Sequence, residues 1–295
     1  MKKKILSLFT FFVALVLLAV SLTSCQGQSG AQENAEGSNK NLGEKKYKYE
    51  EATAFLDKGD KENAILALRN CDEKEAAAKR KDLYISLYGE EFYNKVRKAK
   101  VGDIITFGSL DQDDNESNGK EPIEWIVLEK EKDGRLVLIT KYAIERVSYH
   151  KKAEDVTWET CYIRSWLNKG FLDDCFTKEE QWIIPTSYVV NNDNPLYGTD
   201  GGNDTYDKVF LLSIEEAQKY FKNDLARKTS ATEVAKLHYA YCDPFGNTAW
   251  WLRSPSFKSN KAAVVADHGE VYIGAYHKVT DMIFATRPAM RIDLS

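Results

Sequence analysis

The chain has 295 residues, of which 43% are hydrophobic and 29% charged, with 41 basic against 45 acidic residues and a formal net charge of −4. An acidic balance offers little to a phosphate backbone or to anionic headgroups, so nucleic acid and anionic lipid are excluded as expected partners. The length allows one large or two modest domains with a real core, and folding does not depend on disulfides.

Met1-Lys2-Lys3-Lys4 precedes an apolar run from Ile5 to Val20 and then Leu22-Thr23-Ser24-Cys25. Lysines that resist translocation, an apolar segment that enters the membrane and small residues before a cysteine form the pattern of a bacterial lipoprotein signal. The expectation is cleavage after residue 24 and a diacylglycerol on Cys25, which places the protein outside the cytoplasmic membrane on a lipid anchor. An uncleaved transmembrane helix over Ile5–Leu22 is the competing reading. Removing residues 1–24, with three lysines and no acid, takes the net charge to −7. Residues 25–46 hold one large apolar residue, Leu42, too few to offset the entropy of ordering, and are expected to be a disordered tether reaching ~25 Å.

From residue 47 to 100 the spacing is helical. Ala52, Phe55 and Leu56 share one face, Gly59-Asp60 breaks the chain, Ala64, Ile65 and Leu68 share the next face, and a third helix is predicted over 76–96. The pairing of Ala52 and Ala64 around that turn resembles a tetratricopeptide-type helical hairpin. About one repeat is visible, too few for a solenoid, so this piece is expected to pack on the larger domain after it or to act as a stalk.

Beyond Val101 short strands alternate with turn signals. Strands are predicted at 104–107, 123–128, 136–139 and 289–292, with a polar loop at 111–119. An amphipathic helix is predicted over 163–168, and a hairpin joins 262–265 to 271–273 through Asp267-His268-Gly269. Strands and helices in mixed order without a βαβ rhythm argue for an α+β domain over 101–295.

The chemistry-bearing residues are scattered. Of five cysteines, lipidation of Cys25 leaves Cys71, Cys161, Cys175 and Cys242, an even set with no zinc spacing. Either a bridge joins Cys161 to Cys175 or all four are buried free thiols. His150, His238, His268 and His277 show no chelating spacing. Trp250-Trp251 with Arg253 suggests an aromatic platform for a sugar ring or a cation with a guanidinium beside it. Strand alternation would send one tryptophan into the core, and the competing reading is core packing with a buried ion pair from Arg253 or Arg287. Asn191–Asp207 is dense in oxygen donors. Asp200, Asp204 and Asp207 are its weak calcium candidates, and Asn203, Asp204 and Asp207 its candidate ligand contacts. The same residues favour self-hydrogen-bonded turns.

Gly102-Asp103-Ile104-Ile105-Thr106-Phe107-Gly108, Asn118-Gly119-Lys120-Glu121-Pro122-Ile123-Glu124-Trp125, Thr157-Trp158-Glu159-Thr160-Cys161 and Arg164-Ser165-Trp166-Leu167-Asn168 are followed by Tyr197-Gly198-Thr199, Gly201–Thr205, Asp207–Ser213, Trp250–Pro255 and Arg287-Pro288-Ala289. In this order they resemble the bacterial family called domain of unknown function 6273 over nearly all of 101–295. The late tryptophan-arginine and arginine-proline elements are also similar to those of the formylglycine-generating and C-type-lectin-like group, which implies a lectin-like α+β fold joining early and late strands. The copper-holding cysteine pair of the oxidases in that group has no counterpart near Trp250–Pro255. The expectation is therefore a binding module for a glycan or envelope component, presenting loops 189–207 and 242–260, with no catalytic residue assigned. The alternatives are an exported enzyme with a metal or thiol site and an envelope scaffold recruiting a partner through the hairpin.

Overall fold

A computed structural model describes residues 45–115 and 117–295. The signal segment 1–24, Cys25 and the tether up to residue 44 lie outside the described residues. Among the described residues, no helix is long and apolar enough to cross a membrane.

Four helices open this part: α1 (Tyr49–Asp57), α2 (Lys61–Arg69), α3 (Lys74–Tyr88) and α4 (Glu90–Lys98). The break after α1 is set by Asp60, whose carboxylate caps α2 by accepting from the Asn63 amide at 3.1 Å. The single helix predicted over 76–96 is instead two. Gly89, at φ 83°, ends α3 and starts α4, a conformation that a side chain would strain. Ala52 and Ala64 are both fully buried, as are Ile65 and Leu68.

These helices share one core with the strands of the larger domain. Arg69 donates to the Tyr84 hydroxyl at 2.8 Å and also to the Asp293 carbonyl. The Tyr88 hydroxyl donates to the Glu179 carbonyl at 2.7 Å, and the Phe92 ring stacks on Phe107 at 5.4 Å. The helical segment is thus part of the folded body, with its hydrogen bonds reaching the last residues of the chain.

The main sheet contains β1 (Ile104–Leu110), β2 (Glu121–Lys130), β3 (Leu136–Thr140), β6 (Val209–Phe210) and β10 (Ala289–Ile292) in the order β1-β2-β3-β10-β6, every pair antiparallel. Every residue of β3 is buried, which explains its unbroken apolar sequence. Its partner comes from the far end of the chain: Ala289 lies opposite Ile139 and Ile292 opposite Leu136. The β1–β2 register slips between Thr106 and Ser109. Gly108 sits in that bulge at φ 70°, where an added Cβ would lie 2.5 Å from a Phe176 ring carbon. The bare backbone lets Phe176 close over Phe107 and Trp125.

Two smaller antiparallel sheets complete the α+β body. One joins β4 (Ser187–Val189) to β5 (Thr205–Asp207). The other contains β7 (Trp250–Pro255), β8 (Ala262–Val265) and β9 (Val271–Tyr272), the last two forming the hairpin that the sequence predicts. Helix α5 (Tyr162–Trp166) runs on into a π turn over Leu167–Phe171, longer than its predicted span. Short helices at Ile214–Tyr220 and Glu233–Leu237 start at Ser213 and Thr232, whose side chains cap them.

Candidate functional site

The tryptophan platform is corrected by the structure. Trp250 and Trp251 do point to opposite faces of β7, but both faces are covered, and both side chains have no exposed surface. Trp250 packs edge-on to Phe221, while Trp251 lies 4.5 Å from the Phe284 ring and donates its indole N–H to the Val147 carbonyl at 3.0 Å. Neither ring is available to a ligand.

Arg253 is likewise inside. It donates to the carbonyls of Leu211 at 2.8 Å and Val190 at 2.9 Å and is ion-paired with Glu216. Burial pushes the Glu216 carboxyl up, but the Arg253 charge and the hydrogen bonds from Arg253 and the Ser213 amide outweigh it, leaving the group below the usual carboxylate range. Arg287 is different: among the described residues it has no carboxylate partner. Its guanidinium donates to the carbonyls of Thr140 at 3.0 Å and Arg227 at 3.1 Å, and lies 5.2 Å from the Trp250 ring centre and 5.4 Å from that of Phe221. Burial alone lowers it to about 9, so it still carries its charge near neutrality.

The Asx-rich segment between β4 and β5 spends its oxygens on its own backbone and on nearby side chains, although most of its Asx residues are exposed. Asp204 accepts from the Asn191 amide at 2.8 Å and from the Tyr188 hydroxyl, Asp193 accepts from Gly201 N–H at 3.0 Å, and Asp200 from Gly202 N–H at 2.8 Å. Asn203 donates to Glu159 at 3.0 Å. Asp207 is buried: it pairs with Arg164 at 2.7 Å and accepts from the Trp158 indole at 3.0 Å and the Thr205 hydroxyl at 2.6 Å. The calcium arrangement expected of Asp200, Asp204 and Asp207 does not form, because each carboxylate is turned to its own local partners.

Among the described residues, the acidic group whose oxygens do approach within 4.8 Å of one another is Asp111, Asp113 and Glu121, at the mouth of the β1–β2 loop. Much of its capacity is taken up locally. Asp111 accepts from the amides of Asp113 and Asp114, Asp113 from Asn115 N–H and the Asn118 side chain, and Glu121 from Gln112 N–H. This is turn chemistry.

The four cysteines among the described residues are free thiols, so no bridge joins Cys161 to Cys175. Burial pushes Cys161 up to about 12 and also raises Cys175, while Cys242, half-buried, is raised mainly by the same cause. Such thiols are poor nucleophiles at neutral pH.

What the fold does assemble is a cleft of about 350 Å³ lined by residues from well-separated stretches of the chain, among them Asp111, Glu145, Arg146, Lys151, Tyr162, Trp166, Asp174 and His238. Two of its lining residues, Tyr162 and Trp166, come from α5. Tyr162 and Trp166 stand four residues apart, one helical turn, and therefore share a face. Both are partly buried and packed on the core, Trp166 against Phe171 at 5.7 Å. Among the described residues the Trp166 indole N–H meets no acceptor. The Lys151 ammonium sits 3.8 Å from the Tyr162 ring centre. Also in the lining, Glu145 accepts from the Arg146 amide at 2.7 Å and pairs with His238 Nδ1 at 2.8 Å. Arg146 itself donates to the Met282 carbonyl at 2.8 Å and has no ion pair among the described residues.

Sequence periodicity predicts the helix under Trp166 but does not single out the pair on its face. The one available signal is the i, i+4 spacing of two aromatics on a helix whose core positions are already filled by Ile163, Leu167 and Phe171. The sequence-predicted candidates Trp250, Trp251, Arg253 and Asp207 are interior, and Asn203 and Asp204 lie on the separate β4–β5 loop.

Comparison with known proteins matches residues 133–294 to the family described as Domain of unknown function (DUF6273). No curated protein and no solved structure matches the chain. The matched stretch is shorter than the resemblance over 101–295, since it begins after β2. It nevertheless contains most of the cleft, with Asp111 and Leu110 outside it.

Proposed function

The chain belongs to the DUF6273 family, whose description assigns no activity, and from its own residues we propose that it is an extracytoplasmic binding protein. In this reading a lipid on Cys25 anchors it to a bacterial membrane, and the cleft over α5 holds a glycan or another envelope component. The observation that carries the proposal is the Trp166 ring, beside a Tyr162 ring that carries the Lys151 ammonium, set among side chains that can both donate and accept hydrogen bonds. An aromatic face packs on the C–H face of a pyranose, while Arg146, Lys151, His238, Glu145 and Asp174 offer donors and acceptors for hydroxyls. The return of β10 to lie beside β3 supports the lectin-like comparison, and the burial of both Ala52 and Ala64 supports the tetratricopeptide-like one.

The full chain, kept in detergent, would be applied to a glycan array with and without calcium. The reading requires capture of defined saccharides and its loss in Trp166→Ala, assayed below the variant's own melting temperature. Capture of none, or capture unaffected by the substitution, overturns it.

A second reading has its own observation, the His238–Glu145 pair at 2.8 Å in the same cleft. A histidine oriented by a carboxylate is a general base, so this version is an exported enzyme acting on the bound molecule. Turnover of a captured saccharide, lost in His238→Ala with binding retained, would favour it.

A further inference from the structure

We propose that the open edge of the main sheet takes up an extended peptide carrying a basic residue, at a site that shares no lining residue with the cleft over α5. β1 is an outer strand, paired with β2 alone in the order β1-β2-β3-β10-β6. The Glu124 carbonyl accepts from the Lys141 amide at 2.8 Å, so the backbone groups of Glu124 are turned to the β3 side. Thr106 lies opposite Glu124, and backbone groups alternate in direction along a strand. The Thr106 N–H and C=O therefore point away from β2. Those of Ile104, opposite Ile126, do the same by alternation. Two residues beyond Thr106 the edge closes: a Cβ on Gly108 would lie 2.8 Å from the Cys175 carbonyl.

A groove of about 420 Å³ opens at this edge, where Thr106 meets Leu87 and Tyr88 of α3, Phe92 of α4, and Glu179 and Glu180. Its lining holds two carboxylates and no lysine, arginine or histidine. Glu180 accepts from the Thr177 amide, which leaves its charge in place, and the exposed Glu179 carboxylate has no hydrogen bond or ion pair among the described residues. The neighbouring Lys178 is paired with Asp173 at 3.0 Å. An occupant must therefore bring main-chain groups for Thr106, an apolar side chain for the aromatic part of the lining, and positive charge for the two glutamates. A peptide in strand conformation, with an apolar and a basic residue two positions apart on one face, brings all three. The same edge of a second copy does not, because Ile104–Leu110 contains no basic residue.

The test uses capped heptapeptides that alternate threonine with leucine or phenylalanine and with one lysine or arginine. In one control set glutamate replaces the basic residue, and in two others alternate amides are N-methylated, one set for each edge of the peptide. Binding to the full chain in detergent is measured by calorimetry at low salt. At least one basic peptide is expected to bind ~10-fold tighter than its glutamate counterpart. N-methylation of one edge, the edge that faces β1, should abolish binding. Thr106→Pro removes the outward N–H and leaves the ladder to β2 intact, so it should abolish capture, while Glu179→Lys should remove the charge preference. Each variant is assayed below its own melting temperature. Binding of no basic peptide, equal binding of the glutamate set, or unchanged binding in both variants overturns the proposal. Binding that survives N-methylation of either edge also overturns it, since main-chain pairing would then play no part. Self-association of the full chain that Thr106→Pro abolishes would give the edge to a second copy and overturn it as well. Saccharide capture by the cleft over α5 is unaffected by any of these results.

Discussion

The Lys151 ammonium lies 3.8 Å from the centre of the Tyr162 ring, and one helical turn further on Trp166 lines the same cleft. A cation over an aromatic face at a partly exposed site is worth about 0.5–1 kcal/mol, enough to hold the long lysine side chain over the ring. Tyr162→Leu keeps the apolar contact with the core but removes the π face. It is expected to change stability by no more than about 1 kcal/mol while weakening saccharide capture roughly fivefold. Urea unfolding and calorimetric titration of the same samples separate the two effects.

Trp250→Ala and Trp251→Ala should behave alike, despite their opposite faces. Each removes a fully buried indole, for which about 3–5 kcal/mol is the usual loss. Neither should show a binding defect beyond the unfolded fraction. A variant of either tryptophan that melts normally and fails to bind would restore the platform reading.

Glu216→Gln should destabilise strongly and change the acid limb of the stability curve. It leaves Arg253 buried without its carboxylate, a loss of about 3–5 kcal/mol for pairs of this kind. The sign of the pH effect follows from the depressed carboxyl in the folded state. Its contribution is present above the ordinary value of 4.5 and is lost as pH falls through the lower folded value. Denaturant midpoints between neutral and acid pH should therefore fall less steeply in the variant than in the parent.

Thiol labelling in the native state should rank the cysteines by burial. Cys242, the half-buried one, is expected to react first, and Cys161 and Cys175 only at the rate of unfolding. Peptide mapping by mass spectrometry reads the order directly. Early modification of Cys161 would contradict its packing against Trp158, whose carbonyl accepts from its sulfur at 3.2 Å.

Strands are legible in the sequence where apolar residues alternate or run together. Predicted strands at 104–107, 123–128, 136–139 and 289–292 correspond to β1, β2, β3 and β10, the last with the same bounds and the first extended through the Gly108 bulge. The helix beginning near Ile163 is legible for the same reason. Short helices are harder to see by periodicity, and their signal lies in the caps: Thr177-x-x-Glu180 and Ser213-x-x-Glu216 each form a complete capping box. Strands β4 and β5 give weaker signals, because Tyr188 and Tyr206 are exposed and their partners are held by the Asx segment between them.

The site is hidden for a tertiary reason. Alternation along Trp250–Pro255 tells which side chains share a face, not whether a second layer covers that face, and here both are covered. The cleft draws on residues near 111, 146, 162, 174 and 238, none close enough in sequence to form a motif. Arg287 illustrates the same limit, since its charge is held by carbonyls and two rings instead of the acid that a buried arginine usually finds.

Calorimetric titration of the full chain and of Trp166→Ala with the saccharide best captured on the array bears most directly on the cleft as the binding site. At least a tenfold loss of affinity in the variant, measured below its own melting temperature where it is folded, is the predicted result. Equal affinity in the two proteins would show that the ligand binds elsewhere and would contradict the assignment of the cleft.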